Sequence, residues 1–276
     1  MFFFAILDAA LKLLAPFYPP IQVAAIRGLA SLPLVCGYIL WTGAGPSLLR
    51  VRWPLHLLRG VLGVIMLPLF VFALRDMPIS SAYAIVFVGP LLITALSAPM
   101  LGERVPGAHW TAVGVGLLGV LVALRPSGDV WLSLGALAAL VAAACYAVTS
   151  VLGRLASRTD SAASLVFWST VFMAFGAGLA ALPGWVELRS EHYWTVLLLG
   201  VTGFIAQLAV TQAFRHGQAS AVAPFEYSAL AWAIALDWFI WKVLPTMPTM
   251  LGASIIIASG IYLIRHERAH SLVKPP

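Results

Sequence analysis

Ionisable side chains inside long apolar runs are costly to keep there, so their positions carry most of the chemical information in this sequence. Glu226 is the clearest case. It follows Pro224 by two residues within an apolar stretch, and a proline removes a backbone donor and frees carbonyls close by. A carboxylate at such a point can neutralise an ammonium or other cation, or carry a proton. The plainer reading of Glu226 is a hydrogen bond to a neighbouring helix. Asp8 and Lys12 stand at i,i+4, the spacing of a pair on one helix face, with Asp8 facing an interior cavity as the sharper alternative. Arg27 reads either as lipid-facing or as a member of a pair. Asp237 lies towards the far end of the Glu226 stretch and reads as interfacial.

Uncharged polar groups recur at helical spacing as well. Gln207 and Thr211 form one such set, Tyr146, Thr149 and Ser150 a second, and Tyr83, Phe87, Pro90 and Thr94 a third. Brought together they make a wall of aromatic faces and hydroxyls with few fixed charges. Such a wall suits zwitterionic or moderately apolar solutes better than polyanions, although aromatic stripes also serve simple packing. Gly89-Pro90 and Pro224 are expected bends.

The elements that position these residues follow from composition. Of 276 residues 62% are hydrophobic and 9% are charged. A soluble domain of this length has too little interior to hide that much apolar surface, so most of it must face lipid. The net charge of +6 does not mark a nucleic-acid binder, because the basic residues punctuate the gaps between apolar runs instead of forming a patch. Cys36 and Cys145 each sit inside an apolar run, as small packing residues do, and not as a disulfide framework or metal site. The start Met-Phe-Phe-Phe-Ala-Ile-Leu has no basic flank or small-residue cleavage site and reads as a retained first helix.

Apolar runs of bilayer length, roughly 17–25 residues, predict ten transmembrane helices in an all-α chain. They fall near 2–17, 21–41, 55–74, 79–101, 108–124, 131–154, 161–184, 192–214, 219–242 and 247–264. The breaks carry turn chemistry: Pro19-Pro20, Gly43 to Pro46, Arg75 to Pro78, Pro126 to Asp129 and Pro183-Gly184. With the N-terminus in the cytoplasm, inside segments hold Arg50, Arg52, Arg59, Arg104, Arg154, Arg158, Arg215, Arg265, Arg268 and Lys274. Outside segments hold only Arg75, Arg125, Arg189 and Lys242. That bias places both termini in the cytoplasm. Trp53, Trp110, Trp131, Trp185, Trp194 and Trp241 lie near helix ends, as an interfacial belt does.

The two halves read as repeats, the plainer alternative being that any two Leu/Ala/Gly-rich membrane halves look alike. The stretch from Ala73 to Ser80 lines up with that from Ala213 to Ser220, each an arginine-marked turn before a small-residue helix start. Gly119 to Arg125 resembles Gly260 to Arg265, and Lys12-Leu13 matches Arg154-Leu155. Five helices is an odd number, so a second copy enters the membrane inverted. The repeats are placed at 1–126 and 127–276. Inverted repeats are the usual architecture of secondary transporters, with the substrate near the midplane.

At Ala73–Pro126 the sequence resembles the drug/metabolite transporter superfamily and within it the EamA family. The residues carrying the likeness are Ala-Leu-Arg-Asp-Met-Pro-Ile-Ser-Ser-Ala-Tyr-Ala-Ile from Ala73, then Gly89-Pro90, Leu101-Gly102-Glu103-Arg104 and Leu124-Arg125-Pro126. In the second half, Val222 to Trp232 resembles the ninth-helix motif of a subgroup that includes amino-acid exporters and S-adenosylmethionine carriers. The likeness implies a ten-helix inverted repeat around a central cavity lined by helices one, three, four, six, eight and nine. It brings Tyr227 and Trp232 into the candidate binding set beside Glu226. Trp241-Lys242 stands where the family has Gly-Glu, and helix one has little sequence before it.

The expected activity is therefore export of amino acids or related amphipathic metabolites across a bacterial inner membrane. Uptake or exchange of S-adenosylmethionine or another organic cation is the alternative within the class. A polytopic enzyme acting on lipid is the alternative outside it, and a channel is disfavoured for want of a filter signature. The partners are a small-molecule substrate and membrane lipid, with no nucleic acid. No catalytic residue, cofactor or metal is expected. There is no G-x-x-x-x-G-K-S/T, and His56, His109, His192, His216, His266 and His270 fall at predicted helix ends or in the tail, where solvated or interfacial roles are the default. Gly114, Gly116 and Gly119 match a dinucleotide fingerprint, but inside an apolar helix they read as close helix packing, as do Gly60/Gly63 and Gly200/Gly203.

Overall fold

The computed structural model describes residues 1–76, 79–124, 133–241 and 247–273, and the described residues form helices and no strand. The Pro126–Asp129 break, Met77, Pro78, Arg125, Trp131, Lys242 and Lys274 lie outside them, as do the side chains of Asp237 and Trp241.

In chain order the helices are α1 (Phe2–Leu14), α2 (Pro20–Thr42), α3 (Trp53–Asp76), α4 (Ile79–Val86), α5 (Gly89–Leu101) and α6 (Gly107–Leu124). Then come α7 (Leu134–Ala156), α8 (Ala162–Val171), a π-helical turn over Phe172–Ala177, and α9 (Gly178–Ala181). Next is α10 (Tyr193–His216), followed by α11 (Ala219–Val222), a 3₁₀ turn over Ala223–Tyr227, α12 (Ser228–Trp241) and α13 (Met247–Val273). Five stretches are long and apolar enough to cross a bilayer: Pro20–Thr42, Trp53–Arg75, Leu134–Ala156, Ala162–Gly184 and Ser190–His216. Shorter apolar helices stand beside them.

Local chemistry sets the ends. Pro20 occupies the first turn of α2, where its missing N–H costs nothing, and Gly43 ends that helix at φ +64°. Gly102 ends α5 in the same left-handed conformation, φ +66°. The hydroxyls of Ser133 and Ser161 cap α7 and α8 by accepting from the backbone N–H three residues on. Two apolar segments that hydropathy reads as continuous are interrupted. One breaks at Phe87-Val88, just before Gly89-Pro90, and the other tightens into the 3₁₀ turn holding Pro224.

The burial pattern of α7 identifies the solvent around the bundle. This helix buries Ala136, Ala139, Ala142, Ala143 and Ala147 while Leu134, Leu137 and Leu140 stand exposed. Large apolar groups outside and small ones inside are the arrangement of a lipid-facing helix, because tight packing, not water exclusion, holds such helices together. Cys36 and Cys145 are free thiols.

The bundle pairs elements from opposite halves. α1 packs on α10 and α7 on α3; α12 packs on α1 and α4 and α5 on α7; α2 packs on α10 and α3 on α8 with its π-helical turn; α6 packs on α13. Glycines let these contacts close. At Gly200 an added Cβ would lie 2.6 Å from the carbonyl oxygen of Ala30, and the Ser31 hydroxyl donates to the Gly200 carbonyl at 3.1 Å. Gly60 lies under the ring of Phe172 and Gly116 against the ring of Tyr227, while Gly119 faces the Gly252 carbonyl. Gly114 meets open space, so two of the three fingerprint glycines are packing glycines. Gly200→Val is expected to force α2 and α10 apart, costing about 1–3 kcal/mol. A clearly lowered thermal midpoint in detergent checks this, and an unchanged one would mean the crossing is loose.

Candidate functional site

A cavity of about 230 Å³ lies among α1, α2, α3, α4, α7, α8, α10 and the Glu226 turn. Every lining residue except Met1 and the break residue Phe87 belongs to a helical segment. Beyond the helices implied by the family likeness, the second and seventh hydropathy segments also reach it, through Arg27, Gly28 and Ser31 and through Ser169, Thr170 and Met173.

Two acid–tyrosine pairs face this space. The Tyr146 hydroxyl of α7 donates to Oε1 of Glu226 at 2.8 Å, and the Tyr83 hydroxyl of α4 donates to Oδ2 of Asp8 at 2.6 Å. In the first half the acid is on the opening helix and the tyrosine on the fourth segment; in the second half the roles exchange. Rings extend from the Tyr83–Asp8 pair towards the turn that holds Glu226. Tyr83 and Phe87 lie 5.3 Å apart between centroids, and Phe87 meets Tyr227 edge-on at 5.5 Å. Asp8 therefore takes the cavity-facing alternative, and it also feels the charge of Arg27.

The 3₁₀ turn explains how Glu226 is presented. Pro224 interrupts the helical ladder, and the tightened turn points Glu226 inward while Phe225 remains exposed. Thr149, Gln207, Thr211 and Pro90 line the cavity as well. The Thr211 hydroxyl donates to the Gln207 carbonyl at 2.7 Å, whereas Oγ1 of Thr149 is enclosed with no partner among the described residues.

Several expectations need correction. Tyr227 is 1% exposed but sits behind the wall, wedged against Gly116. Trp232 points to the outer surface against Phe2, at 4.8 Å between centroids. Both follow from the 3₁₀ turn, which rotates the residues after Glu226 away from where a continuous helix would carry them. Gly89 and Pro224 shape the breaks and do not line the cavity.

The wall is also more charged than the sequence suggests, because Asp8, Arg27, Arg59 and Glu226 all line it. Arg59, which its nearness to the start of α3 places in a cytoplasmic segment, is 6% exposed and faces the cavity. Its i,i+3 spacing from His56, on one helix face, was the signal available.

Two histidines placed at solvated ends are buried instead. Nδ1 of His109 lies 2.9 Å from the Ser220 hydroxyl. Nε2 of His56 lies 2.9 Å from Oδ2 of Asp160, which also accepts from the Arg52 backbone N–H at 3.1 Å, while Oδ1 accepts from Thr159 at 2.8 Å. Each stands in the first turn of its helix, and a segment from the other half covers it, the loop after α7 for His56 and α11 for His109.

Sequence reasoning also missed the cluster around Glu103. This residue accepts from Arg154 Nε at 3.2 Å and from the Ala219 backbone N–H at 3.0 Å, capping α11. Arg154 donates further to the carbonyls of Phe214 and Arg215, and Arg158 to that of Leu101. These bonds tie the ends of α5, α7 and α10 to the start of α11. No group of histidine, cysteine, aspartate and glutamate suited to a metal occurs among the described residues.

Known proteins are similar to this chain. A pseudopaline exporter of Pseudomonas aeruginosa is 29% identical over 272 residues, covering 97% of this chain and 94% of its own length. A riboflavin transporter of Vibrio cholerae is 29% identical over 255 residues, covering 92% and 85%. An S-adenosylmethionine uptake transporter of Rickettsia conorii is 25% identical over 261 residues, covering 95% and 88%. A solved crystal structure superposes with a TM-score of 0.81 at 22% identity, covering 97% of this chain and 96% of that one. The model of the EamA-like transporter family matches residues 1–125 and again 133–265. A multi-pass helical bundle with an interior cavity and this double match is a transporter and not an enzyme: the chain belongs to the EamA-like transporter family.

Proposed function

We propose that the chain is a secondary transporter that exports small metabolites, chiefly amino acids or related amphipathic solutes, across the bacterial inner membrane by alternating access. The observation carrying this reading is the pair of acid–tyrosine contacts facing one cavity from both halves. A carboxylate held by one tyrosine hydroxyl keeps lone pairs for a substrate ammonium. Ten spans in two inverted repeats, 1–126 and 127–276, with both termini cytoplasmic, complete the reading. Support comes from the interhelical contacts: exchanging each helix for its counterpart in the other half turns α1 on α10 into α7 on α3, and α12 on α1 into α5 on α7. The breaks at Gly89-Pro90 and Pro224 lie on counterpart segments and are the hinges about which one repeat rocks against the other.

Transport of S-adenosylmethionine or another organic cation is the second reading, favoured by the relative from Rickettsia conorii. Reconstitution into liposomes with radiolabelled amino acids, S-adenosylmethionine and riboflavin separates them. Counterflow of amino acids is expected. Movement of S-adenosylmethionine alone selects the second reading, and movement of neither class overturns the substrate assignment. Cysteine-accessibility labelling should find both chain ends on one membrane face; ends on opposite faces would sink the inverted repeat.

A further inference from the structure

We propose that Arg59 is the subsite for a substrate carboxylate, so that the cavity reads the two ends of a zwitterion at separate places. This deepens the reading above and rests on the cavity being the substrate site. Arg59 lines the cavity, is 6% exposed, and has Nε and Nη1 enclosed with no hydrogen-bond partner among the described residues. A buried guanidinium without acceptors is costly to maintain, and an anion drawn to it from the cavity offsets part of that cost.

The neighbouring acid cannot serve. Asp160, whose charge acts on Arg59, already accepts from His56, Thr159 and the Arg52 backbone. The cavity carboxylates are engaged elsewhere, Glu226 by Tyr146 and Asp8 by Tyr83. Gly153 of α7 faces the guanidinium, and an added Cβ there would meet its Cζ, Nε and Nη2 in ordinary contact at 3.6 Å. The guanidinium lies against α7 and contributes to the cavity wall. Arginine suits this role because its donors are fixed in a plane that matches a carboxylate. A solute with an ammonium at Glu226 and a carboxylate at Arg59 satisfies both charged groups at once.

The test compares matched acids and amides in proteoliposome counterflow: leucine with leucinamide, phenylalanine with phenylalaninamide, methionine with methioninamide, and S-adenosylmethionine with its decarboxylated analogue. In the wild-type protein the acid of a transported pair is expected to exceed its amide or decarboxylated partner by about tenfold or more, the effect of one lost charge-assisted contact. In Arg59→Gln the ratio is expected to fall to within about threefold, with Arg59→Lys between. Equal handling of acid and amide by the wild-type protein overturns the inference while leaving the transporter reading intact, as does a ratio unaltered in Arg59→Gln. Should no acid or amide move, the substrate reading itself fails and the inference falls with it. Gly153→Val, which crowds the guanidinium without removing it, is expected to shift the ratio in the same direction and serves if Arg59→Gln does not fold.

Discussion

Glu226→Gln is expected to reduce substrate flux in proteoliposomes by roughly a hundredfold or more, with the thermal midpoint in detergent nearly unchanged. The substitution separates two roles that the structure places on one side chain. Glutamine keeps an oxygen to accept from the Tyr146 hydroxyl, so the cross-helix bond at 2.8 Å survives while the negative charge is lost. If Glu226 only anchors the turn after Pro224 to α7, the variant transports normally. If it faces a substrate cation, the charge-assisted contact vanishes, an effect of about 3 kcal/mol in a buried site. Tyr146→Phe supplies the complementary control: it removes the donor, leaves the charge, and is expected to cost about tenfold in flux. Normal flux in Glu226→Gln would remove the carboxylate from the mechanism.

Sequence carried the architecture further than the site, for physical reasons that particular residues illustrate. Hydropathy located the helical segments because lipid selects long apolar runs, and proline and glycine marked their ends, as at Pro20 and Gly43. Glu226, Asp8, Tyr83 and Tyr146 stood out because polar groups are rare in such runs, and the cavity brings all four together. A family likeness says least where a helix stops being regular. It places Tyr227 and Trp232 in the binding set, and across the 3₁₀ turn at Pro224 one goes into packing and the other to the surface. A second failure came from helix ends. Arg59, His56 and His109 lie within a turn or two of a boundary, where charge statistics place them in water. Only tertiary structure reveals that the opposite half covers them.

Asp160→Ala is expected to cost about 3 kcal/mol or more in stability and to lower the thermal midpoint more than any single change in the cavity wall. The carboxylate is 4% exposed and accepts three hydrogen bonds, two of which, from the Arg52 backbone and His56, join the loop after α7 to the start of α3. Its removal leaves the His56 ring, which is 1% exposed, without its acceptor and frees the Thr159 hydroxyl and the Arg52 backbone N–H, and hydrogen bonds to a charged group are worth about 1.5–3 kcal/mol each. The same contacts predict the pH dependence. Burial opposes ionisation of Asp160, but the bonds from Thr159, the Arg52 backbone and His56 outweigh it and hold the carboxyl below the ordinary carboxylate range. A group depressed in the folded state stabilises fully above its unfolded value, near 3.9, and loses that contribution as pH falls through the folded value. Wild-type protein should accordingly hold its midpoint from neutral pH down to about pH 5 and lose it on stronger acidification. In Asp160→Asn the neutral-pH midpoint should be lower and this part of the acid limb flatter. An Asp160→Asn profile that merely parallels the wild-type one would show that other carboxylates set the acid limb and that the bonds to Asp160 hold no charge.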